Sequence, residues 1–97
     1  MKVAWTDQAL HRLAAIRQHV EQDNPAAALR LLASLVERGD SLSRFSGRGR
    51  LVPEHAAKGI RELIDGNFRI VYRVRAGTVE ILTVFERHRS FPDEDLP

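Results

Sequence analysis

IRELIDGNFRIVYRVRAGTVEILTV, residues 60–84, is three short runs of β-branched and aromatic residues separated by two turn signals, Asp65-Gly66 and Ala76-Gly77. That pattern predicts an antiparallel meander. Setting Val74 opposite Val79 places Tyr72 opposite Ile81, Ile70 opposite Thr83 and Phe68 opposite Phe85, so one face is almost wholly apolar. The other face then pairs Arg73 with Glu80 and Val71 with Leu82. A slip of one residue would set Val74 against Glu80 and destroy both patterns, because side chains alternate with period two. Across the first turn, Leu63 opposite Phe68 brings Glu62 opposite Arg69. Two turns and two opposite-charge pairs agree on one sheet.

Working outward, Lys2–Trp5 alternates as a strand that needs this sheet as its partner. Thr6 or Asp7 then serves as a helix N-cap. Leu10, Leu13, Ile16 and Val20 recur at three- and four-residue spacing, which predicts an amphipathic helix of about four turns. Asp23-Asn24-Pro25 ends it and starts another, with Asn24 as cap and Pro25 at the first helical position, where its missing N–H is harmless. Ala28, Leu29, Leu32, Leu35 and Val36 form a second stripe that Leu42 and Phe45 would extend. Gly39 is a weak point, about 1 kcal/mol worse than alanine. The short connection folds the two helices into an antiparallel hairpin. Residues 46–59, SGRGRLVPEHAAKG, read as a long irregular connection, and residues 92–97 as a mobile tail. The expectation is an α+β fold in a single domain, residues 1–97. Its order is N-terminal strand, helix hairpin and three-stranded meander, with the helices packed on one face of the sheet.

Composition narrows the function classes. A chain of 97 residues must be stabilised by one core. With no cysteine, neither disulfides nor thiol chemistry are available. MKVAWTDQ carries no apolar leader, and no apolar run approaches the ~20 residues of a membrane span; a cytoplasmic location and no membrane partner are expected. Net charge is only +2, but residues 41–89 carry ten basic and five acidic side chains, against five of each in residues 1–40. The later half therefore favours acidic partners.

No catalytic or metal constellation stands out, and no cofactor is called for. His11 and His19 lie eight apart on one helix, too far to converge on a metal. No serine sits in a strand-turn-helix elbow. The cations carry more information. Arg69 is accounted for by Glu62 and Arg73 by Glu80, whereas Arg87, His88 and Arg89 follow the last strand with no facing carboxylate. On the second face of the sheet, Ile60, Val71, Leu82 and Val84 make an apolar strip with a charged rim. A chain this small has no third layer to spare for it, so the strip reads as a protein-binding surface.

Arg61-Glu62-Leu63, then Gly66-Asn67-Phe68-Arg69-Ile70-Val71-Tyr72-Arg73-Val74 and Val79-Glu80-Ile81-Leu82-Thr83-Val84, resemble the toxins of the RelE/ParE superfamily. Together with the opening strand, the helix hairpin and the Ser46-Gly47-Arg48 loop, the resemblance covers the whole chain. It implies a type II toxin–antitoxin system, in which a cognate antitoxin binds and silences the toxin in a hetero-oligomer. ParE-like members poison DNA gyrase, whereas RelE-like members cleave mRNA on the ribosome. For cleavage, Arg61, Arg69, Arg87, His88 and Arg89 would supply the basic cluster, but the tyrosine near the C-terminus is replaced by Phe91. The ParE side is favoured by Arg89, Pro92 and the R-E-L spelling, although Glu86-Arg87 stands where His-Gly is common. The leading expectation is a ParE-like gyrase inhibitor with no chemistry of its own. Its target determinant would be Arg87, His88, Arg89 and Phe91, and its antitoxin would anchor on Ile60, Val71, Leu82 and Val84. The alternatives are a ribosome-dependent mRNA endonuclease and a degenerate member that binds only an antitoxin.

Overall fold

In the computed structural model, which describes Met1 to Pro97, the chain runs β1 (Lys2–Trp5), α1 (Asp7–Glu21), α2 (Pro25–Asp40), β2 (Arg50–Leu51), β3 (Arg61–Asp65), β4 (Phe68–Arg75) and β5 (Thr78–Glu86). Short 3₁₀ turns cover Ser41–Ser43, Pro53–Lys58 and Asp93–Asp95. Thr6 caps α1 by accepting from the Ala9 N–H at 3.2 Å, and its own hydroxyl donates to the Ile81 carbonyl at 2.8 Å. One side chain thus starts the helix and fastens it to β5. Asn24 caps α2 in the same way at 3.0 Å, with Pro25 at the first position. Gly39 does not break α2. A Cβ there would run into the Trp5 ring and Ile81, so glycine is what lets α2 lie against β1 and β5.

The sheet has five strands in the order β1-β5-β4-β3-β2, with β1 parallel to β5 and every other pair antiparallel. The meander is its centre. At the second turn Ala76 and Gly77 have φ of 51° and 74°, the left-handed pair that a two-residue hairpin loop requires. Val74 faces Val79, Tyr72 faces Ile81 and Arg73 faces Glu80, as the pattern predicts. Beyond Tyr72 the register shifts by one, so that Ile70 faces Val84 and Phe68 faces Glu86. Leu82 is the extra residue of a β-bulge, which turns the rest of β5 over. The loop of the first turn is Gly66-Asn67, pairing Asp65 with Phe68 and Leu63 with Ile70. This is two residues from the expected register, so the faces are preserved and Glu62 meets Arg69 diagonally, at 3.4 Å.

Two clusters of buried side chains lie on opposite faces of the sheet. Ala9, Leu13 and Leu35 from the helices pack with Leu63, Ile70, Tyr72, Val79, Ile81 and Val84. On the far face, Val52, Ile60, Val71, Leu82 and Phe85 form a second cluster, flanked by Phe91 and Leu96. The helices are therefore on one face, as expected, but the other face is not bare. The segment 52–60 and the last seven residues form a thin third layer over it. The bulge also exchanges two residues, placing Val84 in the helix-side core and Phe85 on the far face. In the helices, Leu10 and Leu29 are exposed, as is Phe45 in the loop after α2, and Ala9 takes the buried position beside Leu13.

Candidate functional site

β5 ends at Glu86, where the chain turns sharply. The Arg87 N–H donates to the Asn67 carbonyl at 2.7 Å and the Arg89 N–H to the Glu86 carbonyl at 3.1 Å. These two bonds fix an elbow at the end of the sheet and leave the side chains of Arg87, His88 and Arg89 in solvent. The Glu86 carboxylate lies 3.4 Å from His88 Nε2 and 3.5 Å from an Arg89 nitrogen. The expectation of no carboxylate partner therefore holds for Arg87 alone. The other two contacts are long and exposed, and such pairs hold a side chain only weakly.

The elbow forms one rim of a cleft of about 250 Å³ between α1 and the end of the sheet. Ile16 and Phe68 give it an apolar floor, and Arg12, His19, Glu86 and Arg89 stand around it. Cations and a greasy floor suit a partner that brings an apolar side chain flanked by acidic groups.

Phe91 is not part of the free elbow. Its ring meets Phe85 edge-on at 5.3 Å and His55 at 5.2 Å, over the far-face cluster. Pro92 behind it is buried. The residues expected as a mobile tail are instead a strap. The Asp95 carboxylate accepts from Arg12 at 2.7 Å, Thr83 at 2.8 Å and Gln8 at 2.9 Å, while His55 meets Asp93 at 2.8 Å. Burial pushes the Asp95 carboxyl up, but the bonds from Arg12 and Thr83 and the charge of Arg12 outweigh it and hold the group below the usual aspartate range. The Arg12 guanidinium is raised in turn, chiefly by its hydrogen bond to Asp95. Nothing in the spacing of PDEDLP distinguishes the one bonded carboxylate from its neighbours, so sequence reasoning missed Asp95.

Ile60, Val71, Leu82 and Val84, expected as an exposed strip, are between 0% and 4% exposed. Strap and 52–60 segment cover the first three, and the bulge moves the fourth to the other face.

Arg61 and Arg69 belong to the structural framework. Arg61 donates to the Gly49 carbonyl at 2.7 Å. The Tyr72 hydroxyl donates to the Ser46 carbonyl at 2.7 Å and accepts from the Gly49 N–H at 2.8 Å. A Cβ on Gly49 would collide with the Tyr72 ring and the Glu62 backbone, so glycine is required for the loop to dock. Burial raises the Tyr72 phenol above its ordinary value, against the weaker opposing influence of Gly49 and Arg61. Arg69 reaches buried Glu62 at 3.4 Å and lies over the Phe85 ring at 5.5 Å, while Arg50 holds the same carboxylate at 2.6 Å.

The five residues of the cleavage expectation do not form one cluster: Arg69 pairs with Phe85 close to the elbow, but Arg61 lies apart. Arg61 faces Tyr72 at one end of β3, whereas Arg87 is bonded to Asn67 at the other. Four strand steps, about 13 Å, separate the two ends.

Residues 3–91 match the family of the ParE toxin of the type II toxin–antitoxin system parDE. The chain is 37% identical over 93 residues to the protein Y4kP of Sinorhizobium fredii, covering 94% of this chain and 93% of that one. It is 38% identical over 90 residues to toxin RelE2 of Caulobacter vibrioides, covering 92% and 96% respectively. Among solved structures, the chromosomal ParDE toxin–antitoxin system of P. aeruginosa superposes with a TM-score of 0.75 at 30% identity, over 89% of this chain and 95% of that one.

Proposed function

This chain belongs to the ParE toxin family of type II toxin–antitoxin systems, and from that premise we propose that it poisons DNA gyrase by binding and is neutralised by a cognate antitoxin. The observation that carries the reading is the division of labour among the cations. Arg61 and Arg69 are tied into the fold, and the phenol of Tyr72 is buried with its hydroxyl fully engaged. RNA cleavage by proton transfer needs a group poised beside the scissile phosphate, and arginine supplies charge rather than protons. His88 is the single imidazole of the elbow; of the two strand arginines that would assist it, Arg61 is at the far end of the sheet and Arg69, although beside Phe85, is drawn to Glu62. A surface of Arg87, His88 and Arg89 held on a rigid turn is instead suited to recognition, since a planar cation fixed in place binds carboxylates and phosphates bidentately.

Under this reading the antitoxin opposes the basic half of the chain with acidic groups. Ile60, Val71 and Leu82 become available to it only where the strap of residues 91–96 lifts. Expression in a bacterial host tests the target. Gyrase poisoning gives double-strand DNA breaks and an SOS response; codon-biased cuts in translated mRNA, lost in His88→Ala, would replace this reading with ribosome-dependent cleavage.

A further inference from the structure

A second cationic site lies away from the elbow, at the end of α2. Arg30, Ser34 and Arg38 recur at four-residue spacing and so share one helix face. With Glu37, Ser41 and Arg48 they line a groove of about 500 Å³. Arg48 returns from the following loop to donate to the Ser41 hydroxyl at 3.2 Å. Arg30, Arg38, Arg44 and Arg48 have no carboxylate within ion-pair distance; of the other arginines only Arg61 and Arg87 share this, whereas Arg12, Arg17, Arg50, Arg69, Arg73, Arg75 and Arg89 are all paired. The Nε of Arg38 is buried without any hydrogen-bond partner. A protein surface normally disperses or pairs such charges, and unpaired guanidinium groups along one groove await an anion.

The second observation is Phe45. Its ring is 59% exposed although the spacing of α2 would have continued the core stripe to it. Arg48 lies over that ring at 5.7 Å, and the two residues also line the adjoining hollow with Gly47. An exposed aromatic face stiffened by a cation, beside a run of unpaired arginines, combines the two elements by which single strands are held. Bases stack on the ring while the phosphates track the cations. The two carboxylates nearby fit the same occupant. Glu37 lines the groove and Asp65 borders it through its bond from Ser34 at 2.9 Å; each offers acceptor oxygens to base amino or sugar hydroxyl groups. An acidic peptide without aromatic residues, such as polyglutamate, would meet the arginines but brings no ring to stack on Phe45.

We propose that the groove of Arg30, Arg38 and Arg48, with Phe45 as its stacking platform, binds a single-stranded nucleic acid. The site is separate from the elbow, so it stands whether or not gyrase is the target. Fluorescein-labelled oligo(dU) and oligo(U) 12-mers, titrated with the full chain and followed by anisotropy, test it. Saturable binding of either strand is expected, with log K falling against log salt at a slope of about −2, from three phosphates at roughly −0.7 each. The double variant Arg30→Ala/Arg48→Ala should reduce that slope by about 1.4, and Phe45→Ala should weaken binding about fivefold or more while Phe45→Tyr retains it. These side chains are exposed, so the thermal midpoints should match the parent. Preference between the strands identifies the sugar that the site takes. Absence of saturable binding by both strands at 50 mM salt overturns the proposal. So does binding indifferent to Phe45→Ala, or equal competition by a polyglutamate peptide.

Discussion

Asp95→Ala removes the pin of the C-terminal strap, and its cost can be worked out. The carboxylate accepts three hydrogen bonds, two of them from side chains that are themselves constrained, and its own side chain is only 5% exposed. The Thr83 hydroxyl is fully buried and would lose its partner, a penalty of about 1–3 kcal/mol. The Arg12 bond adds less than a buried ion pair would, because the arginine is 35% exposed and can return to water. Together the substitution should cost about 2–4 kcal/mol. For a domain of this size that lowers the thermal midpoint by about 10–25 °C. Asp93→Ala is the control: its carboxylate is 72% exposed, and its pairing with His55 should be worth under about 1 kcal/mol. The pH dependence has a definite sign. The folded Asp95 carboxyl is held below its unfolded value of about 3.9, so its contribution is complete above that value and is lost as pH falls through the folded value. The stability gap between the parent and Asp95→Ala should therefore be constant above about pH 4 and narrow as pH falls below it through the folded value. Thermal unfolding across a pH series reads both effects. A shift below about 2 °C at pH 7 would mean that the strap is a frayed tail and that the far face is not held closed by it.

Val71→Asp should unfold the chain outright instead of merely weakening a partner, because Val71 is fully buried and an unpaired buried carboxylate costs several kcal/mol; circular dichroism checks it. Tyr72→Phe leaves the buried Gly49 N–H without its acceptor and should cost about 1–3 kcal/mol in urea unfolding, with toxicity per folded molecule unchanged. Gly39→Ala should cost about 1–3 kcal/mol through overpacking against Trp5 and Ile81, although alanine is the better helix former, and a raised midpoint would contradict the packing described.

The parts that were legible in the sequence share one property: their signals are local. The Ala76-Gly77 turn, the Arg73–Glu80 pair, the Thr6 and Asn24 caps and Pro25 are each fixed by neighbours in the chain or by a tight hairpin. The misreadings arise where one long-range event reassigns several residues. Alternation with period two carries no mark of a bulge, so Leu82 shifted Val84 and Phe85 to opposite faces from those expected. Residues 46–59 conceal β2 because two residues leave no periodicity, and what docks them is the pair of bonds to Tyr72 far along the chain. For the strap, an acidic chain end predicts mobility. Its order comes from Arg12 and Thr83, which no spacing connects to Asp95. For the elbow, residue types pointed to Arg87–Arg89 correctly as exposed, but not to Glu86 as their neighbour or to Phe91 as a core contact.

Purified gyrase provides the most direct test of the elbow as the target-binding element. Linear DNA accumulated in a cleavage assay is measured with the parent chain and with Arg87→Ala/Arg89→Ala. Both side chains are exposed and neither holds the fold, so the variant should melt with the parent. The account predicts that the parent traps cleaved DNA and that the variant fails to do so, with at least a tenfold loss in potency at unchanged thermal midpoint. Trapping by the variant at parental potency, or no trapping by the parent under conditions where it arrests growth, would contradict it.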